Sequence, residues 1–300
     1  MATNHAQLPD PRGFIAGLLS GLTKLAVGHP FDTIKLRIQC APAGVFHGPL
    51  DCFLQTIRNE GPRALYKGAS PPAAGWAVSD AVLMGSLERY RRWLGHLESP
   101  DGAQPLSLRS HAVAGALAGW TVCSIVTPIE TIKAKLQIQT SDPRTRLYTG
   151  PIDCASQIVR AGGLQSLYRA LPATLIFRTC FALMFSSYHA LNHLFQTFAT
   201  HHPSSLFALG PSVSKFIAGG LAAEVFWLVG YPLDTVKNRI MCDSLTNRRY
   251  PTWLSAARAI RLEGGIKAFY RGMTPCLLRA FPTNAAALAV WEGAMRGMRP

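Results

Sequence analysis

The sequence predicts an all-α membrane protein in which six transmembrane helices form three tandem two-helix repeats. Three observations predict this class. Of the 300 residues, 48% are hydrophobic and only 15% are charged, with a mean hydropathy of +0.14. This composition is typical of a chain that crosses a membrane several times. In addition, two motifs each occur three times at nearly constant spacing, and six long apolar segments fall two to a repeat.

The first motif is a proline followed by an acid and a lysine. It reads HPFDTIK, TPIETIK and YPLDTVK, and its prolines are Pro30, Pro128 and Pro232. Proline interrupts the helical hydrogen-bond pattern, while the acid and the lysine that follow it lie three residues apart on one helix face. A single copy would be an ordinary helix end. Three copies, about 100 residues apart, indicate an internal repeat.

The second motif follows each copy of the first after roughly 35 to 40 residues. It reads NEGPRALYKG, RAGGLQSLYRA and LEGGIKAFYRG, ending at Gly68, Ala170 and Gly272. Two motifs per unit in three units mark a repeat architecture. The predicted repeats are residues 1–100, 101–203 and 204–300.

The apolar segments are candidate transmembrane spans, although prolines, glycines and charges interrupt all of them. A charge at membrane depth is tolerated only where it faces the bundle interior or a water-filled cavity. Small residues four apart should let helices approach closely, at Gly17 and Gly21, Gly115 and Gly119, and Gly219 and Ala223. The six candidate spans are 12–38, 72–93, 110–138, 172–196, 211–240 and 274–296.

The net charge of +14 restricts the partners. Basic residues lie mostly in loops and at span ends, without a basic and aromatic recognition element. We therefore expect contacts with anionic lipid head groups and no binding of nucleic acid. The seven cysteines form no CxxC pair, so we expect packing residues in a reducing compartment.

No Ser/His/Asp, Cys/His or metal-ligand cluster is evident in the sequence. We therefore expect neither an enzyme nor a cofactor or metal requirement. The first residues, MATNHAQLPDP, show neither a signal peptide nor an Arg-rich transit peptide. Any targeting signal is expected to be internal.

The paired motifs resemble those of the mitochondrial carrier family, and the resemblance extends over residues 12–297. It implies six tilted helices around a pseudo-threefold axis, a short matrix helix in each repeat and both termini in the cytosol. It also implies a monomeric, multi-pass solute transporter of the mitochondrial inner membrane. Transport would proceed by alternating access to one central site.

The resemblance implies a gate on the matrix side, built from the acids and lysines of the first motif. The implied pairs are Asp32–Lys133, Glu130–Lys237 and Asp234–Lys35. Gln39 and Gln137 are expected to brace these pairs, whereas Met241 holds the third such position and cannot.

The resemblance also implies a weaker gate on the cytosolic side. Its residues are Glu88, Arg91, Asn192 and Glu292, with one full ion pair, Arg91–Glu292, and a weaker polar contact, Glu88–Asn192. His189 and Met295 would form no pair. Three matrix pairs against one cytosolic pair predict a resting state that is open to the cytosol.

Cardiolipin is the implied lipid partner, held where the second motif opens the even-numbered helices. Free N–H groups at a helix start, together with a base, suit a lipid phosphate. Ala170 departs from the glycine pattern of the other two repeats. The implied lipid-binding residues are Lys67, Gly68, Arg169, Arg271 and Gly272.

The implied substrate site lies midway along the even-numbered helices. Arginine binds a carboxylate with two hydrogen bonds, whereas aspartate and indole faces suit an ammonium group. The chemistry predicts a small substrate with a carboxylate and a cationic group. The predicted substrate-binding residues are Gly75, Trp76, Asp80, Phe177, Arg178, Trp227 and Arg279.

Three functions remain open from the sequence. Segments such as RAFPTNAAAL and SPPAAG resemble carriers of ornithine-type basic amino acids and of acylcarnitines. Transport of a basic or zwitterionic amino acid such as ornithine, arginine or lysine is our first hypothesis. Exchange of carnitine and acylcarnitine is the second. The third is a carrier-fold membrane adaptor that no longer transports, although the three intact matrix motifs argue against it.

Overall fold

The computed structural model describes residues 11–42, 44–99, 106–140, 146–201 and 210–297. Within these ranges the secondary structure is helical, and no strand occurs in them. Short 3-10 turns at Pro62–Tyr66 and Leu164–Tyr168 precede α3 and α6. The helices are α1 (Pro11–Cys40), α2 (Pro49–Glu60), α3 (Ser70–Glu98), α4 (Leu108–Ile138), α5 (Pro151–Gly162), α6 (Leu171–Thr179), α7 (Phe181–His201), α8 (Pro211–Cys242), α9 (Trp253–Phe269) and α10 (Met273–Gly297).

Each repeat begins with a long helix that contains the proline of the first motif, in α1, α4 and α8. Proline has no N–H to bond the carbonyl four residues earlier. In each repeat the tyrosine hydroxyl of the second motif donates to that carbonyl instead. The Oη···O distances are 3.1 Å for Tyr66 and Ala26, 3.0 Å for Tyr168 and Ser124, and 3.2 Å for Tyr270 and Leu228. The two motifs of a repeat are therefore in direct contact.

A short helix follows the long one in every repeat. Both α2 and α5 begin with a proline after a glycine, and proline suits the first helical position because its missing N–H would have no partner there. In the third repeat α9 begins at a Thr252 cap and is kinked at Gly264 and Gly265. Each short helix buries one face, with Cys52, Cys154 and Ala256 fully inaccessible to solvent.

The glycine that ends the second motif allows one repeat to approach the next. Gly68 has φ of 72°, a conformation that favours glycine, and a Cβ there would lie 2.8 Å from the Lys133 carbonyl oxygen. Gly272 has φ of 80° and the corresponding position against Lys35. Ala170 has φ of −83°. The second repeat therefore turns into its next helix with ordinary backbone geometry.

The long helices close into a ring around a central cavity. Neighbouring repeats meet where α3 packs along α4 and α7 along α8, and α10 returns to pack along α1. At the closure, the Ser20 hydroxyl donates to the Ala287 carbonyl at 3.0 Å. This arrangement, with two long helices and one short helix per repeat, confirms the predicted all-α, threefold architecture.

Three segments of the described residues are long and apolar enough to cross a membrane by length and composition: Leu108–Ile138, Leu164–His201 and Ser212–Cys242. The remaining long helices are α1, α3 and α10. The predicted span 172–196 is divided between α6 and α7, because the Cys180 N–H donates to the Phe177 carbonyl three residues earlier.

The predicted glycine stripes differ in what they pack against. A Cβ at Gly115 would lie 2.8 Å from Phe185, and one at Gly119 would lie 2.8 Å from the Arg178 carbonyl oxygen. A Cβ at Gly17, Gly21 or Gly219 would meet no described atom within 4 Å. The expectation of close helix approach thus holds in this structure for α4 and not for the other two stripes.

Candidate functional site

A cavity of about 330 Å³ lies on the axis of the helix ring. Its wall combines charged side chains with aromatic ones, including Phe177, Phe181, Phe226 and Trp227. The described lining residues include five basic and four acidic side chains. These are Lys35, Lys133, Lys237, Arg178 and Arg279, and Asp32, Asp80, Glu130 and Asp234.

Six charged residues of the first motif meet at one end of this cavity. We call them the lysine–carboxylate ring: Asp32, Lys35, Glu130, Lys133, Asp234 and Lys237. The lysine of each repeat contacts the acid of another repeat, at N···O distances of 2.7 Å for Lys133–Asp32, 2.9 Å for Lys237–Glu130 and 2.7 Å for Lys35–Asp234. Lys237 also lies 3.0 Å from Asp234 in its own helix. All three cross-repeat contacts implied by the sequence are present.

The two arginines of the predicted substrate site reach into this ring. Arg279 Nη1 lies 2.5 Å from Asp32 Oδ1, and Arg178 Nη2 lies 3.0 Å from Glu130 Oε1. Each of these acids therefore binds a lysine with one oxygen and an arginine with the other. Asp234 differs, because its additional partner is the amide of Asn238 at 3.0 Å.

The two glutamines that were expected to brace the ring lie beneath it. Gln39 accepts a 2.7 Å hydrogen bond from the Asn238 amide, which also donates to Asp234. Gln137 donates to Thr33 at 3.0 Å and lies 3.3 Å from His29 Nε2. Gln39 therefore connects to the ring through Asn238, whereas Gln137 contacts His29 and Thr33 of α1. Sequence reasoning did not identify Asn238.

Aromatic rings shield two lysines of the ring. Lys35 Nζ lies 4.3 Å from the centroid of Trp227, and Lys237 Nζ lies 4.6 Å from that of Phe177. Both distances are in the range of cation–π attraction. Trp227 and Phe177, predicted to bind substrate, thus also contact the ring.

Asp80 lines the cavity but forms no hydrogen bond or ion pair with any described residue. Gly75, one turn before Ser79, lies at a helix contact, where an added Cβ would clash with the Ile129 side chain. The Trp76 side chain lies outside the described part of the structure. Ser79 lines the cavity and donates to the Gly75 carbonyl at 2.8 Å.

The contacts predicted for the opposite end are not formed between the described residues. Arg91 Nη2 lies 3.1 Å from His189 Nε2 and does not meet Glu292. Glu88 and Glu292 instead contact Arg92 and Arg296, each one turn along the same helix. Asn192 accepts a hydrogen bond from Gln196. The acids at this end are about half exposed, because the helices here are not drawn together by ion pairs between repeats.

The bases predicted to bind lipid have protein partners. Lys67 lies 2.6 Å from Glu60 and 2.7 Å from the Gln139 carbonyl oxygen. Arg169 lies 2.7 Å from Asp243. Arg271 donates to the Pro42 carbonyl at 3.4 Å. These side chains are therefore engaged internally, and the backbone at Gly68 and Gly272 remains the stronger candidate for a phosphate.

Two further ion pairs, which sequence reasoning missed, each link the long helix of a repeat to its short helix. Arg37 contacts Glu60 with two hydrogen bonds of 2.5 and 3.1 Å, and Arg239 contacts Glu263 at 3.0 and 2.8 Å. Burial raises the pKa of the Glu60 carboxyl, but hydrogen bonds from Arg37 and Lys67 outweigh it and lower that pKa to about 2. The sequence feature that could have revealed these ion pairs is the Glu-Gly pair at the start of the second motif in the first and third repeats.

No group of three or more metal-ligating side chains occurs among the residues that the structure describes. The cavity offers charge pairs and aromatic faces. Such a site can hold a small charged molecule by exchanging ion pairs between protein groups for ion pairs with the molecule.

Comparison with known proteins places this geometry in a family. The family model described as Mitochondrial carrier protein matches the chain three times, at residues 7–98, 104–199 and 210–299. Mitochondrial substrate carrier family protein L of Dictyostelium discoideum is 37% identical over 288 residues, 95% of each chain.

Two relatives carry names that state a substrate class. The human Mitochondrial basic amino acids transporter is 36% identical over 280 residues, which is 92% of this chain and 87% of the relative. The Mitochondrial carnitine/acylcarnitine carrier-like protein of Arabidopsis thaliana is 35% identical over 297 residues, which covers 92% and 95% of the two chains. Members of the family are membrane-embedded transporters of small molecules in mitochondria. The motif resemblance is thereby confirmed, and this chain belongs to the mitochondrial carrier family.

Proposed function

We propose that this carrier transports a basic or zwitterionic amino acid, such as ornithine, arginine or lysine, across the mitochondrial inner membrane. Transport proceeds by alternating access to the central cavity, with both termini in the cytosol and the protein acting as a monomer. The name of the human relative at 36% identity supports this substrate class.

One observation favours this substrate above others. Asp80 is a cavity-lining carboxylate that has no hydrogen-bonding or ion-pair partner among the described residues, whereas Asp32, Glu130 and Asp234 each have at least two. Arg178 and Arg279 line the same cavity. This carboxylate and the two arginines provide opposite charges for the two ends of an amino acid. A nucleotide, with several negative charges, would be repelled by Asp80.

Substrate binding and gate opening are coupled through the arginines. In the empty cavity, Arg279 binds Asp32 and Arg178 binds Glu130. A substrate carboxylate competes for both guanidinium groups, because it offers the same paired oxygens. When the arginines turn to the substrate, Asp32 and Glu130 retain only their lysine partners. The lysine–carboxylate ring, which we assign as the matrix gate, is then weaker and opens more readily.

Exchange of carnitine and acylcarnitine is the second candidate. Four aromatic side chains line the cavity, and the face of an aromatic ring attracts a quaternary ammonium group. The relative from Arabidopsis thaliana supports this candidate at 35% identity.

Uptake by proteoliposomes loaded with unlabelled amino acids and carnitine separates the two candidates. Radiolabelled ornithine, lysine, arginine, glycine and carnitine are tested in parallel against the unmodified carrier. We expect uptake of at least one basic or zwitterionic amino acid. Uptake of carnitine alone would favour the second candidate, and no uptake of any compound by the folded protein would favour the adaptor hypothesis.

Two substitutions test the assigned roles within the same assay. Arg279→Ala should abolish uptake, and Arg279→Lys should restore little of it because lysine cannot form the paired contact. Asp80→Asn should reduce uptake of cationic substrates most. Glu224→Gln is the matched control, since Glu224 is an acid in α8 that does not line the cavity. Normal uptake by the Asp80 variant would remove that residue from the site.

We also propose cardiolipin as the lipid partner. The backbone N–H groups that follow Gly68 and Gly272 open α3 and α10, and helix starts attract phosphate. Cardiolipin should raise the melting temperature of the purified carrier more than an equal amount of phosphatidylcholine does. An equal effect of the two lipids would contradict the proposal.

A further inference from the structure

A second cavity, of about 430 Å³, lies beyond the lysine–carboxylate ring at the ends of α1 and α8. It is separate from the substrate cavity and shares no lining residue with it. Two cysteines and two arginines contribute to its wall: Cys40, Cys242, Arg239 and Arg249.

The two cysteines are neighbours contributed by different repeats. Cys40 is the last residue of α1, and Cys242 is the last residue of α8. The Cys40 thiol donates to the Asn238 carbonyl at 3.6 Å, one turn before Cys242, and its side chain interacts directly with that of Cys242. Both are partly buried free thiols against the same apolar cluster.

The same helix ends are held together by the closed ring. Gln39, next to Cys40, contacts Thr235 and Asn238 of α8. The Arg239 guanidinium, in turn, donates to the Gln39 carbonyl. Any motion that opens this end of the ring must separate α1 from α8 and therefore separate the two thiols.

We propose that Cys40 and Cys242 form an oxidisable pair whose disulfide locks this end of the carrier closed. The functional consequence rests on the transport function proposed above. A peroxide oxidises one thiol to a sulfenic acid and is itself reduced to water. The second thiol attacks the sulfenic sulfur, so that the S–S bond forms and a second water is released.

The surroundings favour this reaction at these two cysteines. A cavity gives a small peroxide access to the thiols, and the nearby Arg239 guanidinium partly offsets the burial that raises the pKa of the Cys40 thiol. Cys52, Cys123 and Cys154 are almost fully buried and line neither cavity. A covalent bond between α1 and α8 then opposes every motion that parts them. A dithiol reductant reverses the bond and releases the carrier.

The test uses the full-length carrier in proteoliposomes treated with hydrogen peroxide. We expect a disulfide-linked peptide that joins residues 40 and 242, detected by mass spectrometry without any substrate. Uptake of the amino acid or carnitine identified above should fall to the level of the unlinked fraction, and dithiothreitol should restore it. Cys40→Ser and Cys242→Ser should each abolish both effects, whereas Cys52→Ser should leave them unchanged.

Two outcomes would overturn the proposal. One is the absence of a 40–242 linkage at peroxide concentrations that oxidise other cysteines. The other is a complete linkage that leaves uptake unchanged. Because the linkage is measured on the protein itself, a failure to find any transported substrate would contradict the proposed function and not the thiol pair.

Discussion

Glu60 shows how one buried carboxylate can connect three segments of a repeat. It binds Arg37 of α1 and Lys67 of the turn before α3, while it belongs to α2. Glu263 holds the corresponding position in the third repeat, with Arg239 as its partner. In the second repeat Lys135 replaces the arginine and donates to the Asp243 carbonyl. Among the described residues, a carboxylate of the short helix therefore forms an ion pair with the long helix in the first and third repeats only.

We predict that Glu60→Gln destabilises the carrier by about 3 kcal/mol, because removing one partner leaves two buried cations without compensation. Thermal unfolding in detergent measures this loss. Glu263→Gln is the matched control and should lower the free energy of unfolding by a smaller amount. The Glu263 side chain is 32% exposed against 12% for Glu60, so that water compensates more of its loss. Equal losses for the two variants would contradict the role of burial.

The destabilisation by Glu60→Gln should also depend on pH. The pKa of Glu60 falls from its ordinary value of 4.5 to about 2 in the folded protein. A lowered carboxyl pKa stabilises the folded state fully above the unfolded value, and this stabilisation is lost as the pH falls through the folded value. The difference between the unmodified carrier and the variant should therefore be constant above pH 5 and shrink toward pH 2. A difference that is unchanged down to pH 2 would show that the charge of Glu60 is not its cause.

At the scale of the helices, α4 packs closely against the junction of α6 and α7. An added Cβ at Gly119 would lie 2.8 Å from the Arg178 backbone carbonyl, which cannot move without shifting the α6–α7 junction. The junction itself is the turn at Cys180. The packing of α4 therefore determines where the Arg178 side chain enters the cavity.

We predict that Gly119→Ala destabilises the carrier by about 1–3 kcal/mol, the usual cost of inserting atoms into a packed interior. It should also lower uptake by displacing Arg178. The matched control is Gly21→Ala in α1, where an added Cβ meets no described atom within 4 Å. The control should be neutral or stabilising by up to about 1 kcal/mol, because alanine favours a helix over glycine. Melting temperature and uptake of both variants check this, and a stable, active Gly119 variant would contradict it.

At the scale of the whole molecule, the repeated sequence predicted most of the architecture. The resemblance to the family implied the contact between Lys133 and Asp32, and the repeats of a threefold ring bring these equivalent positions together. It could not show that Arg279 also reaches Asp32, because the reach of a long side chain depends on the distance between helices. The pair of Arg91 with Glu292 stays a prediction for the state in which the cytosolic end is closed, because in this structure Arg91 contacts His189 instead.

The two ends of the ring differ in the number of ion pairs that link repeats. Three lysine–carboxylate contacts and the Arg279–Asp32 contact link repeats at the closed end, and Arg178 adds a contact with Glu130 within the second repeat. At the opposite end, the ion pairs of Glu88 and Glu292 lie within single helices. The cavity should therefore rest closed toward the matrix and accessible from the cytosol in the empty carrier.

Lys133→Ala removes one cross-repeat partner from Asp32 and leaves Arg279 in place. If the lost pair contributed about 2 kcal/mol to closure, the ratio of the two states would shift roughly thirtyfold toward the matrix-open state. A single cysteine at Ser79, which lines the cavity, can be labelled from either side of oriented vesicles in a cysteine-free background. We predict labelling mainly from the cytosolic side in the otherwise unmodified carrier and a gain of matrix-side labelling with Lys133→Ala.

Arg92→Ala is the control, because its pair with Glu88 is exposed and lies within one helix. This control should change neither the labelling from the cytosolic side nor the labelling from the matrix side. Predominant matrix-side labelling before any substitution in the ring would show that these ion pairs do not determine the resting state.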